Sequence, residues 1–333
     1  MQIRRLAALA FASSTLAQTY TDCNPTNETC PSDTGLNLST YSVDFTQGAS
    51  DDWNMTYGSV SYDSSGAAFT ITESGDAPTM QSNWYIFFGV ITVLMRAAPG
   101  TGIVSCAILE SDDLDEIDWE WLGGSVDEVE TNYFGKGNTT SYDRATYVDV
   151  TDSQDTTHNY TIEWTSAATT WYIDGTAVRT LAYADALEGE NYPQTPMRVK
   201  LGLWAGGDST QNAGTIEWAG GETDYDDGPF TMYVEKIEIT NYNPGSTYTY
   251  GDKTGAYSSI EVDSSDATNS TSSTYASSNN GTDISSSSNS TSSGNSSTSS
   301  SSSSTTGTSG ASITVAGSIM LRVVVALASS RVS

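Results

Sequence analysis

The sequence reads Asp115-Glu116-Ile117-Asp118-Trp119-Glu120-Trp121 at its most regular point, where from Glu116 onward acids alternate with large apolar residues. Successive side chains of a β-strand point to opposite faces, so this alternation predicts a strand with two unlike faces. One face carries the acids Glu116, Asp118 and Glu120. The other carries the apolar residues Ile117, Trp119 and Trp121, which we expect in a core. Three neighbouring acids on one face of a strand are tolerated where that face is an open cleft.

Carboxylates packed this closely repel one another, which separates their pKa values. Two carboxyl groups with separated pKa values are the chemical groups of glycoside cleavage, one as nucleophile and one as proton donor. Retaining enzymes hold the two groups about 5–5.5 Å apart. Four residues of strand span about 13 Å, so Glu116 and Glu120 must lean toward each other across Asp118. The spacing alone also allows a solvated acidic face or a calcium site of oxygen ligands.

Four separated motifs resemble one family. The segment Glu116-Ile117-Asp118-Trp119-Glu120 resembles the signature of glycoside hydrolase family 16. Residues 111–116, 131–137, 202–208 and 214–221 are similar to fungal Crh-type cell-wall transglycosylases, and the likeness covers roughly residues 20–245. The resemblance implies an all-β fold, a concanavalin-like jelly-roll β-sandwich with a concave substrate cleft. It also implies that Glu116 is the nucleophile, Glu120 the acid/base and Asp118 an assisting carboxylate.

Short strands joined by glycine-rich turns are predicted through the middle of the chain. The segments rich in aromatic and β-branched residues are 84–95, 102–109, 161–164, 170–173 and 198–204. Asp174-Gly175 predicts a hairpin turn, and residues 181–187 predict a turn or two of helix. Many short strands without long helical periodicity favour a sandwich.

A second two-faced strand is predicted at residues 197–204. Its apolar side consists of Met197, Val199, Leu201 and Leu203. Its other side consists of Arg198, Lys200, Gly202 and Trp204. An aromatic ring on a cleft floor stacks on the apolar faces of sugars, and a lysine donates hydrogen bonds to hydroxyl groups. A tryptophan covered by a loop explains the pattern equally well.

The family resemblance decides in favour of sugar binding on this strand. It implies substrate contacts from Glu120, Lys200, Trp204 and Thr215. Tyr133 and Phe134 are further candidates, although the pattern does not orient them. The remaining tryptophans considered, Trp164, Trp171 and Trp218, are predicted to lie in the core.

Both ends of the chain differ in composition from residues 18–255, which we assign to the family 16 catalytic sandwich. Residues 1–17 carry Arg4 and Arg5, then an apolar run and small residues, which predicts a secretory signal peptide. Residues 256–310 are rich in Ser, Thr and Asn, so we expect a disordered, glycosylated stalk. Residues 311–333 predict a C-terminal signal for a glycolipid anchor, removed on attachment; free secretion is the alternative.

The cysteines and sequons also fit an exported protein. Cys23 and Cys30 are predicted to form a disulfide, and Cys106 to be a buried, inert thiol. Sequons that predict N-glycosylation within the catalytic region stand at Asn27, Asn37, Asn54, Asn138 and Asn159.

Charge and composition exclude several functions. The formal net charge of −29, from 12 basic and 41 acidic residues, argues against nucleic acid as a partner. A single histidine argues against catalytic zinc, and the hypothesis requires no metal and no cofactor. The resemblance implies polysaccharide substrates, with chitin as donor and β-glucan as acceptor, and membrane contact only through the anchor. A hydrolase with the same site and a non-catalytic glycan-binding sandwich remain as alternatives.

Overall fold

A computed structural model describes residues 21–265 and the backbone of residues 268–274. The predicted signal peptide, most of the predicted stalk and the predicted anchor signal lie outside the described residues. Within the described residues no helix is both long and apolar enough to cross a membrane.

Strands dominate the described chain. In order they are β1 Asp33–Thr34, β2 Leu38–Asp44, β3 Trp53–Tyr57, β4 Val60–Asp63, β5 Gly66–Ile71, β6 Thr79–Ser82, β7 Gly89–Arg96, β8 Ile103–Ser111, β9 Glu116–Leu122, β10 Glu128–Phe134, β11 Thr146–Asp149, β12 His158–Trp164, β13 Ala168–Ile173, β14 Thr176–Ala182, β15 Met197–Ala205, β16 Phe230–Asn241, β17 Thr247–Tyr250, β18 Ile260–Asp263 and β19 Thr268–Thr274. One short α-helix, α1, spans Ala213–Trp218. Short 3₁₀ turns lie at Phe45–Gln47, Tyr183–Asp185, Leu187–Gly189, Tyr225–Asp227 and Tyr257–Ser259.

Two large sheets form the body of the domain, as the sequence predicts. The first has seven strands in the order β11-β10-β9-β8-β15-β6-β3. The second runs β14-β13-β12-β7-β16-β2-β19, and β5, which carries β4, also pairs with β16. Large-sheet neighbours are antiparallel, except that β19 runs parallel to β2. A small third sheet has the order β1-β17-β18.

The core lies between the two large sheets and fixes which way β9 faces. Ile117, Trp119 and Trp121 are at most 1% exposed. The ring of Tyr160, on β12 of the other sheet, meets Trp119 and Trp121 edge-on, with centroids 5.4 and 4.6 Å away. Each such side chain contributes about 1.5–3 kcal/mol by burial. A rotation of β9 that buried its acids would expose these three side chains and lose their burial free energy.

The strand predicted at residues 84–95 begins later than expected. β7 starts at Gly89, because Phe88 (φ 57°) and Gly89 (φ 156°) turn the chain just before it. A Cβ at Gly89 would lie 2.3 Å from the carbonyl oxygen of Thr240, so only glycine fits. Residues 84–88, four aromatic residues and Ile86, fill the core from an irregular segment. The sequence pattern correctly indicated that these residues are buried, but it wrongly predicted that they form a strand.

The other local predictions meet mixed outcomes. Asp174 (φ 48°) and Gly175 (φ 78°) form the predicted hairpin turn between β13 and β14. The turn or two of helix predicted at residues 181–187 takes the form of two short 3₁₀ turns, at Tyr183–Asp185 and Leu187–Gly189. They begin later than predicted, because Leu181 and Ala182 are still paired with β13 as the end of β14.

Order also persists beyond the predicted domain boundary at residue 255. β18 pairs with β17, and its alternate residues Ile260 and Val262 pack against the core. The serine-rich average composition concealed this two-residue apolar alternation.

The cysteines behave as predicted. Cys23 and Cys30 form a disulfide with their Cα atoms 5.8 Å apart. Cys106 is buried and outside any disulfide.

Candidate active site

Strand register assembles the candidate residues on one face of the seven-stranded sheet. Residues directly opposite one another in antiparallel strands share a face. We call the face that carries Glu116, Asp118 and Glu120 the cleft face. Its three central rows, across β10, β9 and β8, are Phe134–Glu116–Glu110, Asn132–Asp118–Ile108 and Glu130–Glu120–Cys106. The predicted acid face of β9 is therefore a dense carboxylate surface, extended by Glu110 and Glu130 on its two neighbours.

Burial and mutual repulsion change the proton affinities of these acids. Burial raises the pKa of Asp118 well above its usual range, and the charges of Glu116 and Glu120 and a hydrogen bond to Glu116 raise it further. The pKa of Glu120 is likewise raised well above its usual range, by burial, then by the charges of Glu130 and Glu116. Both groups consequently hold a proton at a pH where free carboxylic acids are ionised. Glu120 is thereby suited to proton donation.

Sequence reasoning missed Glu130. Its side chain is 2% exposed and lies opposite Glu120 on β10. One carboxylate oxygen accepts a hydrogen bond from Trp218 Nε1 at 2.8 Å, and the other accepts one from Asn132 Nδ2 at 3.2 Å. The alternation Glu128-Val129-Glu130, a shorter version of the β9 pattern, was the available signal.

Two tryptophans flank the carboxylates. Trp204 lies near the end of β15 on the cleft face, half-buried, and its ring stacks on Trp218 with centroids 6.0 Å apart. The prediction that Trp218 lies in the core is wrong, because residues 213–218 form α1 instead of a strand and leave the ring half-buried. Trp164 and Trp171 are fully buried, as predicted.

The other predicted substrate contacts lie in two places. Lys200 is on the cleft face, but its ammonium group forms an ion pair with Glu110 of β8, and burial lowers its pKa to about 8. Thr215 is on α1, where Asn212 Nδ2 donates a hydrogen bond of 2.8 Å to its hydroxyl oxygen. Since α1 also carries Trp218, Thr215 belongs to the same wall as the stacked tryptophans.

The register settles the orientation of Tyr133 and Phe134. Phe134 is half-buried on the cleft face in the row of Glu116, and the guanidinium of Arg144 lies 4.7 Å from its ring centroid. Tyr133 points the other way and is 6% exposed. Only Phe134 is therefore placed to meet a ligand above the acids.

The five predicted sequons differ in accessibility. Asn27 and Asn54 are exposed, whereas Asn37, Asn138 and Asn159 are half-buried. The side-chain oxygens of Asn138 and Asn159 each accept a hydrogen bond from the threonine two residues later. Modification at all five stays a prediction, with Asn27 and Asn54 the most accessible acceptors.

A metal centre was the other use of clustered acids that the sequence allowed. Among the described residues, no group of three or more His, Cys, Asp or Glu side chains is arranged to hold a metal ion.

Comparison with known proteins connects this geometry to a family. The profile of Glycosyl hydrolases family 16 matches residues 47–220. The chain is 60% identical over 272 residues to Crh-like protein 1 of Aspergillus fumigatus, a match that covers 82% of this chain and 73% of that protein. Three further Crh-like relatives are matched over only 57% to 63% of their own length.

Solved structures agree with the sequence comparison. The structure of Crh5 transglycosylase in complex with NAG is 57% identical, with a TM-score of 0.71, over 72% of this chain and 100% of that one. A Bacillus licheniformis β-glucanase is 23% identical, with a TM-score of 0.52, over 61% of this chain and 98% of that one. The second likeness concerns the fold alone and confirms the predicted jelly-roll sandwich.

Proposed function

Since this chain belongs to glycosyl hydrolase family 16, as a Crh-like member, we propose that it is a retaining transglycosylase acting on chitin and β-glucan. It cleaves a chitin chain and transfers the released part to β-glucan, which crosslinks the two polymers. The observation that carries the proposal is the alignment of Glu116, Asp118 and Glu120 along the cleft face of β9. The choice of chitin as donor is supported by the 57% identity of this chain to a transglycosylase whose structure contains NAG.

In the first step Glu116 is the nucleophile and Glu120 the acid. A carboxylate oxygen of Glu116 bonds to the anomeric carbon while the glycosidic carbon–oxygen bond breaks, and the departing oxygen takes the proton of Glu120. The raised pKa of Glu120 supports this assignment, because a proton donor must retain its proton until the bond breaks.

In the second step the roles of Glu120 reverse. Glu116 is now an uncharged ester, so one of the charges that favoured protonation of Glu120 is gone. Ionised Glu120 accepts the proton of an acceptor hydroxyl, whose oxygen attacks the anomeric carbon and releases Glu116. A sugar hydroxyl gives transfer, and water gives hydrolysis. Two inversions at one carbon retain its configuration.

Asp118 assists as a neutral acid. Its raised pKa keeps it protonated, so it can donate a hydrogen bond to Glu116, a contact that favours the ionised and correctly oriented nucleophile. The stacked Trp204 and Trp218 offer an aromatic surface to sugar rings, with Lys200 and Thr215 as polar neighbours. A surface that binds an acceptor sugar better than water favours transfer over hydrolysis.

We place the working enzyme outside the cell, in the fungal wall. The sequence of residues 1–17 supports export, and the Cys23–Cys30 disulfide fits an oxidising compartment. The composition of residues 275–333, beyond β19, supports a glycosylated stalk with a glycolipid anchor at its end. The anchor would hold the enzyme at the outer face of the plasma membrane.

Product analysis tests the activity. The secreted protein is incubated with a chitin oligosaccharide donor and a fluorescent β-glucan oligosaccharide acceptor, and the products are identified by mass spectrometry. Labelled hybrids, absent with Glu116→Gln, are the expected result. Shortened donor without hybrids would indicate a hydrolase. Binding without any turnover would indicate a glycan-binding module.

A further inference from the structure

Glu130 is a buried carboxylate on the cleft face to which the two-carboxylate mechanism gives no task. It lies directly opposite Glu120 across the β9–β10 pair and is 2% exposed. Trp218 Nε1 and Asn132 Nδ2 donate hydrogen bonds to its two oxygens, at 2.8 and 3.2 Å. These two hydrogen bonds, one to each oxygen, hold the carboxyl group of Glu130 in one orientation.

We propose that Glu130 is a positioning residue for proton transfer, whose fixed negative charge keeps the proton on Glu120 until the donor is cleaved and then makes Glu120 a stronger base toward the acceptor. The inference rests on the proposed function, because it assigns Glu120 the acid/base role. It goes beyond that function because it assigns to Glu130, a residue outside β9, the negative charge that acts on Glu120 in both steps of the reaction.

The two glutamates beside Glu120 act at different stages of the reaction. Glu116 loses its charge when it forms the glycosyl ester, so it can favour protonation of Glu120 only in the free enzyme and the donor complex. Glu130 forms no bond to sugar, so the reaction itself does not neutralise it. When an acceptor arrives, Glu130 is therefore the neighbour that still raises the basicity of Glu120. Burial strengthens this effect, because water screens the two charges poorly there.

Other titratable groups face Glu120 as well. Glu116 and Asp118 share its strand, Cys106 lies opposite it on β8, and Tyr147 lies opposite Glu130 on β11. On β15, one strand further, the row of Glu120 holds Gly202, and Lys200, in the row of Asp118, is paired with Glu110. Arg179 of β14, in the other sheet, interacts electrostatically with Glu130 and Asp118. Among these groups the charge of Glu130 is the largest electrostatic contribution to the raised pKa of Glu120.

Glu130 also anchors the aromatic wall through Trp218, so an effect on rate must be separated from an effect on sugar binding. Glu130→Gln removes the charge but keeps an oxygen that can accept the Trp218 hydrogen bond. Trp218→Phe keeps an aromatic ring but removes the N–H group. The first variant tests the charge and the second tests the anchor.

The experiment measures kcat and KM for the chitin donor against pH, in the whole secreted protein, for wild type and variants. Glu130→Gln is expected to move the alkaline limb of the kcat/KM profile about one pH unit lower, with KM nearly unchanged. Glu130→Asp, which keeps the charge, is expected to leave the alkaline limb close to its wild-type position. The control Glu128→Gln removes an exposed acid two residues away and should leave the profile in place.

Two results would overturn the inference. One is a Glu130→Gln profile that keeps its wild-type limbs while KM rises as it does in Trp218→Phe, which would make Glu130 only an anchor. The other is a folded Glu130→Asp variant whose alkaline limb lies about a full pH unit below that of wild type, because a retained charge should leave the limb close to its wild-type position. Full activity of Glu120→Gln would instead refute the proposed function itself.

Discussion

The indole of Trp171 donates a hydrogen bond of 3.0 Å to the main-chain carbonyl oxygen of Asp118. Trp171 belongs to β13 of the nine-stranded sheet, whereas Asp118 lies at the centre of β9 in the other sheet. This hydrogen bond from the core thus fixes the backbone of β9 at the acids. The Asp118 side chain projects from the opposite face of the strand, into the cleft. A contact within the core contributes in this way to the geometry of the site.

Trp171→Phe is expected to lower kcat more than the accompanying loss of stability explains, because β9 loses this anchor. The matched control is Trp164→Phe, another fully buried tryptophan, whose Nε1 donates to Pro193 and makes no contact with the acid row. Denaturant midpoints and kcat are measured for both. Equal fractional losses of kcat in the two variants would remove any special role for the Trp171 contact.

Asp118→Asn is expected to retain more activity than Asp118→Ala. The pKa of Asp118 is raised well above its usual range, so the neutral side chain is the working form, and an amide can also donate a hydrogen bond to Glu116. Losing a hydrogen bond to a charged group costs about 1.5–3 kcal/mol, so Asp118→Ala should lose at least about tenfold in kcat/KM. Equal activity of the two variants would contradict the neutral-donor role.

Trp204→Ala is expected to raise KM about tenfold for a sugar substrate while changing kcat less, because it removes half of the stacked pair with Trp218. Separate titrations of donor and acceptor would reveal which sugar this wall binds. Trp204→Phe, which keeps a ring, serves as the control. A fall in kcat at unchanged KM would show that the ring acts on the chemistry and not on binding.

Stability should fall as pH rises from about 4 to 8. Burial, reinforced by the charge of Asp112, raises the pKa of Asp33 to about 8, and burial with the charge of Asp113 raises the pKa of Asp115 to about 7. The folded protein therefore binds more protons than the unfolded chain in this range. Asp33 and Asp115 contribute most to the free energy of unfolding below the unfolded pKa, near 4. This contribution is lost as the pH rises through their pKa values in the folded protein.

Asp33→Asn mimics the protonated side chain and should flatten this slope, by up to about 1.4 kcal/mol per pH unit. Urea unfolding at several pH values between 5 and 8 measures the slope, and Asp51→Asn, which alters an exposed acid, is the control. An unchanged slope in Asp33→Asn would mean that Asp33 is ionised in the folded protein.

Two-residue periodicity made β9 and β15 predictable. In each strand one set of alternate residues is buried in the core, so the pattern placed Glu116 and Trp204 on the face opposite the core. For Trp204, the family resemblance was needed to decide that this face binds sugar. Glu130 and Phe134 were harder, because their face depends on the register of β10 against β9. That register is set by the connection at residues 123–127, whose geometry a pattern of residue types does not encode.

Tertiary contacts explain why the environments of Lys200 and Trp218 differ from those predicted. Lys200 was expected to contact sugar hydroxyl groups, yet it is paired with Glu110, an acid near the end of the mostly apolar strand β8. Trp218 resembles a core residue in sequence because it is a tryptophan, but α1 carries it to the edge of the site. Lys200 and Glu110 are far apart in the chain, and so are Trp218 and its hydrogen-bond partner Glu130.

The most direct test of the account is the identity of the group that holds the sugar between the two steps. Glu120→Gln is mixed with a chitin oligosaccharide bearing a dinitrophenyl leaving group, which departs without acid help, and the protein is digested for mass spectrometry. A sugar adduct is expected on the peptide that contains Glu116, because the second step now lacks its base. Unmodified Glu116 with an oxazoline product would contradict it, since the donor's own acetamido group would then be the nucleophile.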